Sequence, residues 1–183
     1  AAEAWSIAVE GGRVGPVTPA ALGEGTRIEV RDLFFATPAR LKFLKSERAE
    51  SSAISDVVRR LAMAHPEVRF SLSGPDRTVL DLSAAAGEEG QRVRLADVMG
   101  RDFRDSSVAI DAGREGARLT GFAGLPTYSR ANSLGQFLFV NGRPVRDKLL
   151  MGAIRGAYAD LMKRDRHPVA VLFLDVPPSE VDV

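Results

Sequence analysis

The 183 residues include no cysteine, one tryptophan, two tyrosines and two histidines. Without cysteine there is neither a disulfide framework nor a thiolate metal site, which fits a reducing, cytoplasmic compartment. His65 and His167 each precede a proline and stand far apart. That placement suits a helix end and a strand start, so no metal site is expected. No apolar run is long enough for a membrane span and no signal peptide opens the chain, so no membrane partner is expected. Neither sign of charge dominates: 25 Lys and Arg face 24 Asp and Glu, a net charge of +1 that carries no global attraction to nucleic acid.

What is present suits a globular protein of one large or two small domains, with 45% hydrophobic residues for a core and 27% charged residues for a surface. The positive charge is unevenly spread. From Arg130 to Arg166 there are eight Lys or Arg against three Asp. A solvated face and a phosphate-binding face both fit that excess.

Periodicity orders the chain into elements. Trp5–Val9 alternates apolar and polar residues and reads as a strand, with a turn at Gly11-Gly12 and a return over 14–17. Thr26–Phe34 reads as the clearest strand of the first half, with Thr26, Ile28 and Val30 on one face. Thr37-Pro38 is a helix start, because Thr can cap free N–H groups and Pro tolerates the first helical position. A short basic helix follows over Pro38–Lys45. A longer one, about Ala49–Ala64, carries the stripe Ile54, Val57, Val58 and Leu61, and ends at His65-Pro66. The runs 68–72 and 78–82 flank Gly74-Pro75-Asp76 as a hairpin. Ala84–Gly90 reads as a linker, so a domain boundary is expected at 87/88.

Beyond it, Val93–Met99 predicts a short helix closed by Gly100, and 107–111 and 118–123 predict strands. Gln136–Val140, apolar on both faces, predicts an interior strand. Asn141-Gly142 suits a tight turn because both residues accept positive φ. Asp147 then caps a helix to about Lys163, with Leu150, Ile154, Ala157 and Leu161 buried and Lys148 and Arg155 two turns apart on the other face. Val169–Val176 predicts a last buried strand. Arg143, Arg146, Lys148 and Arg155 are the candidate phosphate contacts; helix solvation and a salt bridge to Asp147 are the alternative. No pair of carboxylates has the spacing of a general acid and base, so no catalytic residue is expected.

Three stretches carry a resemblance. The run Gly25-Thr26, Asp32-Leu33-Phe34, Thr37-Pro38-Ala39-Arg40 and Lys42-Phe43-Leu44 is similar to the end of the ATP-binding domain in the MutL family of DNA mismatch repair proteins. Ala36 stands where that family usually has asparagine. The run Phe137-Leu138-Phe139-Val140-Asn141-Gly142-Arg143 with Arg146-Asp147 resembles the family's strand–turn–helix in the domain after the ATPase, and Val181-Asp182-Val183 resembles the start of a third motif.

The resemblance covers Trp5 to Val183 and implies an α/β (α+β) fold in two parts. Residues 1–87 would be the C-terminal portion of a GHKL-type ATPase sandwich, and residues 88–183 a transducer domain with a ribosomal-protein-like sheet. It implies a fragment of a longer protein, an ATP-dependent coupler between mismatch recognition and downstream repair. The expected partners are DNA bound without sequence preference, a MutS-type mismatch recognition protein, a downstream nuclease or helicase, and a second copy of the parent. ATP and Mg would bind the intact parent, with Gly25 and Thr26 at the nucleotide rim. The main nucleotide motifs would precede residue 1 and the γ-phosphate lysine would follow residue 183, so this chain alone is expected to bind no cofactor and to be inactive. Arg40 and Lys42 fit either nucleotide-dependent ordering or a solvated helix. Two rival readings are a stand-alone nucleic-acid or protein interaction module of the transducer fold, and a type II topoisomerase subunit; the 37–44 run argues against the second.

Overall fold

The computed structural model describes residues 4–75 and 77–181. Asp76 of the expected hairpin turn and Asp182 and Val183 of the third motif lie outside them. The chain divides into two compact units, one ending at Ser51 and one beginning at Ser52.

In the first unit β1 (Ala4–Ser6) pairs antiparallel with β4 (Thr18–Ala20), and β2 (Val9–Glu10) pairs with β3 (Arg13–Val14) around Gly11-Gly12. The two glycines hold φ of 55° and 86°, conformations that a side chain would strain. Thr26–Phe34, expected as a strand, is not one. Among the described residues no strand pairs with it, and a strand has no stability without that pairing. Ile28 is 84% exposed and Val30 73%. Asp32 and Phe34 adopt φ of 47° and 70°, which ends the extended run in turns closed by Phe35 N–H to Asp32 O (2.8 Å) and Thr37 N–H to Phe34 O (2.9 Å). A helix does start at Pro38, but it is 3₁₀, covers Pro38–Phe43, and receives no capping bond from the Thr37 hydroxyl. Proline at the first position contributes its fixed φ, so the start survives without the cap.

Helix α1 (Glu47–Ala64) opens with Glu47 and Glu50 in its first turn, where carboxylates favour the helix dipole, and ends before His65-Pro66 as expected. Its buried residues are Arg60, Ala62 and Met63. The expected stripe is turned out: Ile54, Val57 and Leu61 are exposed. Val58 of that stripe is half-buried, and the core reaches the C-terminal turns of α1 along the Arg60–Met63 side. Strands β5 (Phe70–Ser73) and β6 (Thr78–Leu82) form the predicted hairpin, held outside by Arg69 donating twice to Asp81 at 3.1 and 3.0 Å.

Helix α2 (Gly87–Met99) starts inside the segment read as a linker, six residues before the expected Val93. Gly100, at φ 96°, closes it and opens the short α3 (Arg101–Asp105). Arg94 of α2 explains why 84–90 does not hang free. It is 1% exposed and its guanidinium donates to the carbonyls of Ala62 (2.6 Å), His65 (3.3 Å), Pro66 (3.1 Å), Val68 (2.8 Å) and Ser83 (2.7 Å). Those carbonyls belong to the end of α1 and the approaches to the β5–β6 hairpin, and a buried charge needs that many acceptors. Burial lowers the Arg94 pKa, opposed by the charges of Asp97 and Glu67.

The principal sheet follows. Strands β7 (Ser107–Arg114) and β8 (Ala117–Gly124) meet at Glu115-Gly116, both with positive φ. After the short β9 (Ser129–Arg130) come β10 (Gln136–Val140), β11 (Arg143–Val145), α4 (Lys148–Ala157), β12 (His167–Pro168) and β13 (Ala170–Asp175). The sheet order is β11-β10-β13-β8-β7, with β10 parallel to β13 and the other pairs antiparallel. The parallel pair requires a crossover, and α4 lies in it. Its interior strand β10 is buried on both faces, as its sequence predicts. Met63, Leu95, Phe103, Phe137, Phe139, Val169 and Val171 form the core cluster, with Phe139 stacked on Phe173 at 4.7 Å. Gly121 of β8 (φ 123°) passes so close to β13 that a Cβ would lie 2.2 Å from the Val171 carbonyl oxygen.

Helix α4 is shorter than expected and stops at Ala157, where Tyr158 leaves the helix and donates its hydroxyl to Gly124 O at 2.6 Å. Burial raises the Tyr158 pKa. Ile154 is buried as predicted, whereas Ala157 and Leu161 are exposed, because the chain turns away before the stripe is complete. Among the described residues no helix is long and apolar enough to cross a membrane.

Candidate nucleic-acid interface

The four candidate cations lie on one strand–turn–helix. Asn141 and Gly142, at φ 47° and 75°, form the tight turn from β10 into β11. Asn141 also fixes the turn to the sheet: its side-chain amide donates to Val176 O (3.1 Å) and its Oδ1 accepts from Val176 N–H (2.9 Å). Arg143 therefore leaves a rigid corner, opposite Val140, and is exposed. Asp147 caps α4, its Oδ1 accepting from Leu149 N–H and Leu150 N–H at 2.9 Å each. Lys148 opens α4 and is exposed. Arg155 lies in the last turn and donates to Arg164 O at 3.1 Å. Seven residues separate the two, about 10 Å along the axis.

Arg146 has a partner the sequence does not suggest. Its guanidinium donates to Asp56 Oδ2 of α1 at 3.1 Å, across ninety residues of chain. The same oxygen accepts from Arg60 Nε at 2.9 Å, and the Arg60 guanidinium lies 4.6 Å over the Phe137 ring of β10. Only the i,i+4 spacing of Asp56 and Arg60 on α1 hints at this cluster.

The rest of the local charge excess divides. Lys163 and Arg164 are exposed. Arg166 is consumed by the fold, donating to Ser129 Oγ (3.0 Å) and Ser129 O (2.6 Å). Arg130 stacks 4.7 Å over Tyr128 and donates to its hydroxyl at 2.9 Å. A cavity of about 340 Å³ lined by Ser129, Leu161, Met162, Lys163 and Arg166 adjoins them.

Gly25 and Thr26 belong to the first unit, on exposed irregular backbone. Gly25 has φ 119°, and a Cβ there would meet nothing within 4 Å. Arg40 and Lys42 are exposed, with Lys42 Nζ 5.5 Å over the Phe43 ring. Among the described residues no three His, Asp or Glu side chains converge on a possible metal position.

Residues 95–183 match the family model described as DNA mismatch repair protein, C-terminal domain. Over 182 residues the chain is 60% identical to the DNA mismatch repair protein MutL of Paramagnetospirillum magneticum, a match covering 98% of this chain and 30% of that protein. The chain belongs to the MutL family of DNA mismatch repair proteins. A second relative, MutL of Mesorhizobium japonicum, is 62% identical over 181 residues, 98% of this chain and 29% of that one. Among solved structures, the Aquifex aeolicus MutL ATPase domain complexed with ADP superposes with a TM-score of 0.70 at 28% identity, covering 96% of this chain and 63% of that chain. The α+β fold is therefore that of a MutL ATPase region, the GHKL-type arrangement that the resemblance implied. The chain spans about 30% of the length of the curated relatives it matches.

Proposed function

We propose that the chain is the part of a longer MutL-type protein that joins the end of its GHKL ATPase portion (residues 1–87) to its transducer portion (residues 88–183), and that the transducer portion binds DNA through phosphates. The observation that carries the DNA reading is the strand–turn–helix from Asn141 to Arg155. A rigid turn and a capped helix there present Arg143, Lys148 and Arg155 to solvent, with Arg146 beside them. Contacts from such side chains to phosphate oxygens carry no sequence information, so the binding is sequence-independent. The parent protein binds ATP and Mg, a reading supported by the likeness to a MutL ATPase domain that holds ADP. Gly25 and Thr26 lie at the rim of that nucleotide site, which the remainder of the parent completes. The parent acts in the cytoplasm as a homodimer, coupling a MutS-type mismatch recognition protein to a downstream nuclease or helicase.

The test is Arg143→Glu combined with Arg155→Glu in the full-length protein. Binding weakens to a similar degree for all DNA sequences, and the slope of log affinity against log salt shrinks by roughly 0.7 to 0.9 for each phosphate that the variant no longer neutralises. An unchanged affinity and slope in a folded double variant would place the DNA site elsewhere.

A further inference from the structure

We propose that Asp56 is a positioning residue of the DNA surface, an internal anion that holds Arg146 in place of a phosphate and releases it when DNA binds. This rests on the phosphate-binding reading above. Asp56 Oδ2 serves two guanidiniums, and the two ends of the cluster differ in freedom. Arg60 is 9% exposed and packed over Phe137, so it anchors Asp56 to the core. Arg146 has a side chain 71% exposed and reaches the same oxygen through a single ion pair of 3.1 Å. A single ion pair of that exposure is weak and readily exchanged, whereas the Arg60 end stays. A carboxylate oxygen at that distance offers the guanidinium the geometry that a phosphate oxygen offers. Arg146 lies between Arg143 and Lys148 in sequence, at the entry to α4, within the stretch that would follow the DNA backbone. While the pair stands, Arg146 is neutralised and Asp56 repels an approaching phosphate. When it opens, the surface gains one cation, and Asp56 remains compensated by Arg60.

The experiment measures DNA affinity against salt concentration for the full-length protein, Asp56→Asn, Arg146→Gln and the double variant. Asn keeps an oxygen for Arg60 and loses the charge that retains Arg146. The expected result is tighter binding by Asp56→Asn with a slope close to that of the unaltered protein, because Arg146 neutralises the same phosphate in both complexes and only the cost of opening the pair is removed. With Arg146→Gln already present, Asp56→Asn should bring no such gain. Unchanged or weaker binding by Asp56→Asn, or the same gain in the Arg146→Gln background, overturns the proposal; the last would mean that only overall charge had changed. If Asp56→Asn does not fold, Arg146→Gln alone decides, because its site is exposed. The proposal requires it to lower the slope as a lost phosphate contact does, yet to weaken binding less than Arg143→Gln does; an unchanged slope or an equal loss of affinity overturns it. The Arg143→Glu/Arg155→Glu protein separates the levels. If it binds DNA normally, both readings fall; if it binds weakly while Asp56→Asn is silent, only the role of Asp56 falls.

Discussion

Arg94 illustrates how one side chain can hold segments that its sequence neighbourhood leaves unconnected. Nothing in the run Gln91-Arg92-Val93-Arg94-Leu95 distinguishes it from Arg92, yet Arg94 alone is enclosed. The distinction arises because five carbonyls around the end of α1 and the β5–β6 hairpin point at one position, and a guanidinium can donate to several at once. Replacing it by Met would leave those carbonyls buried without a donor. The expected cost is on the order of 3–5 kcal/mol, the range for breaking a buried charged network. Lysine should rescue only part of it, since an ammonium lacks the planar fork. Equilibrium denaturation of Arg94→Met and Arg94→Lys checks the order. Equal stability of Arg94→Met and the unaltered protein would mean that water supplies the missing donors.

At the scale of elements, each helix end behaves according to its local chemistry. Asp147 does what an N-cap aspartate can do and satisfies two N–H groups of α4. Asp147→Ala is expected to cost about 1 kcal/mol of stability. It should also weaken DNA binding modestly by fraying the turn that carries Lys148. Chemical denaturation and a binding titration on the same variant check both, and weaker binding at unchanged stability would argue against the capping role. Thr37 has the same sequence credentials and makes no capping bond, because its backbone (φ −138°, ψ 63°) departs from the extended conformation usual at a cap. The tight turn read at Asn141-Gly142 takes the positive φ that two-residue hairpins demand, and so does the Glu115-Gly116 turn of the structure. The strand expected at Thr26–Phe34 failed for the complementary reason, since alternation describes a face and does not supply the neighbour that pairs with it.

At the scale of the whole molecule, the two compact units differ in how well they bury their own apolar residues. Every described residue in β1–β4 is exposed or half-buried, and so are Ile28, Val30, Phe35 and Phe43. From Ser52 onward the chain owns the five-stranded sheet and the Met63–Phe139 cluster. Limited proteolysis of the isolated chain should therefore cut first within residues 21–36, where the backbone is irregular and exposed, and spare a product that begins near α1 and retains β13. The segment 84–90 should resist, because α2 begins at Gly87 and Arg94 ties that helix to the preceding elements. Early cleavage at 84–90 would instead support the sequence-based boundary as a flexible junction.

Short-range chemistry was enough to locate α1, the β5–β6 hairpin, the interior strand β10, the Asn141-Gly142 corner and the cap of α4. Each depends on residues within a few positions of one another: a proline after a histidine, a run apolar on both faces, a pair that accepts positive φ, a carboxylate before a helix. The same local reading singled out Arg143, Lys148 and Arg155 as candidates, which the structure leaves exposed, and, through resemblance, the MutL family. Which side of α1 is buried, where α4 stops, which of two neighbouring arginines is enclosed, and that Asp56 meets Arg146 across ninety residues all depended on tertiary packing. These features are set by which carbonyls, rings and charges arrive from distant parts of the chain, and hydrophobic periodicity holds no information about those arrivals.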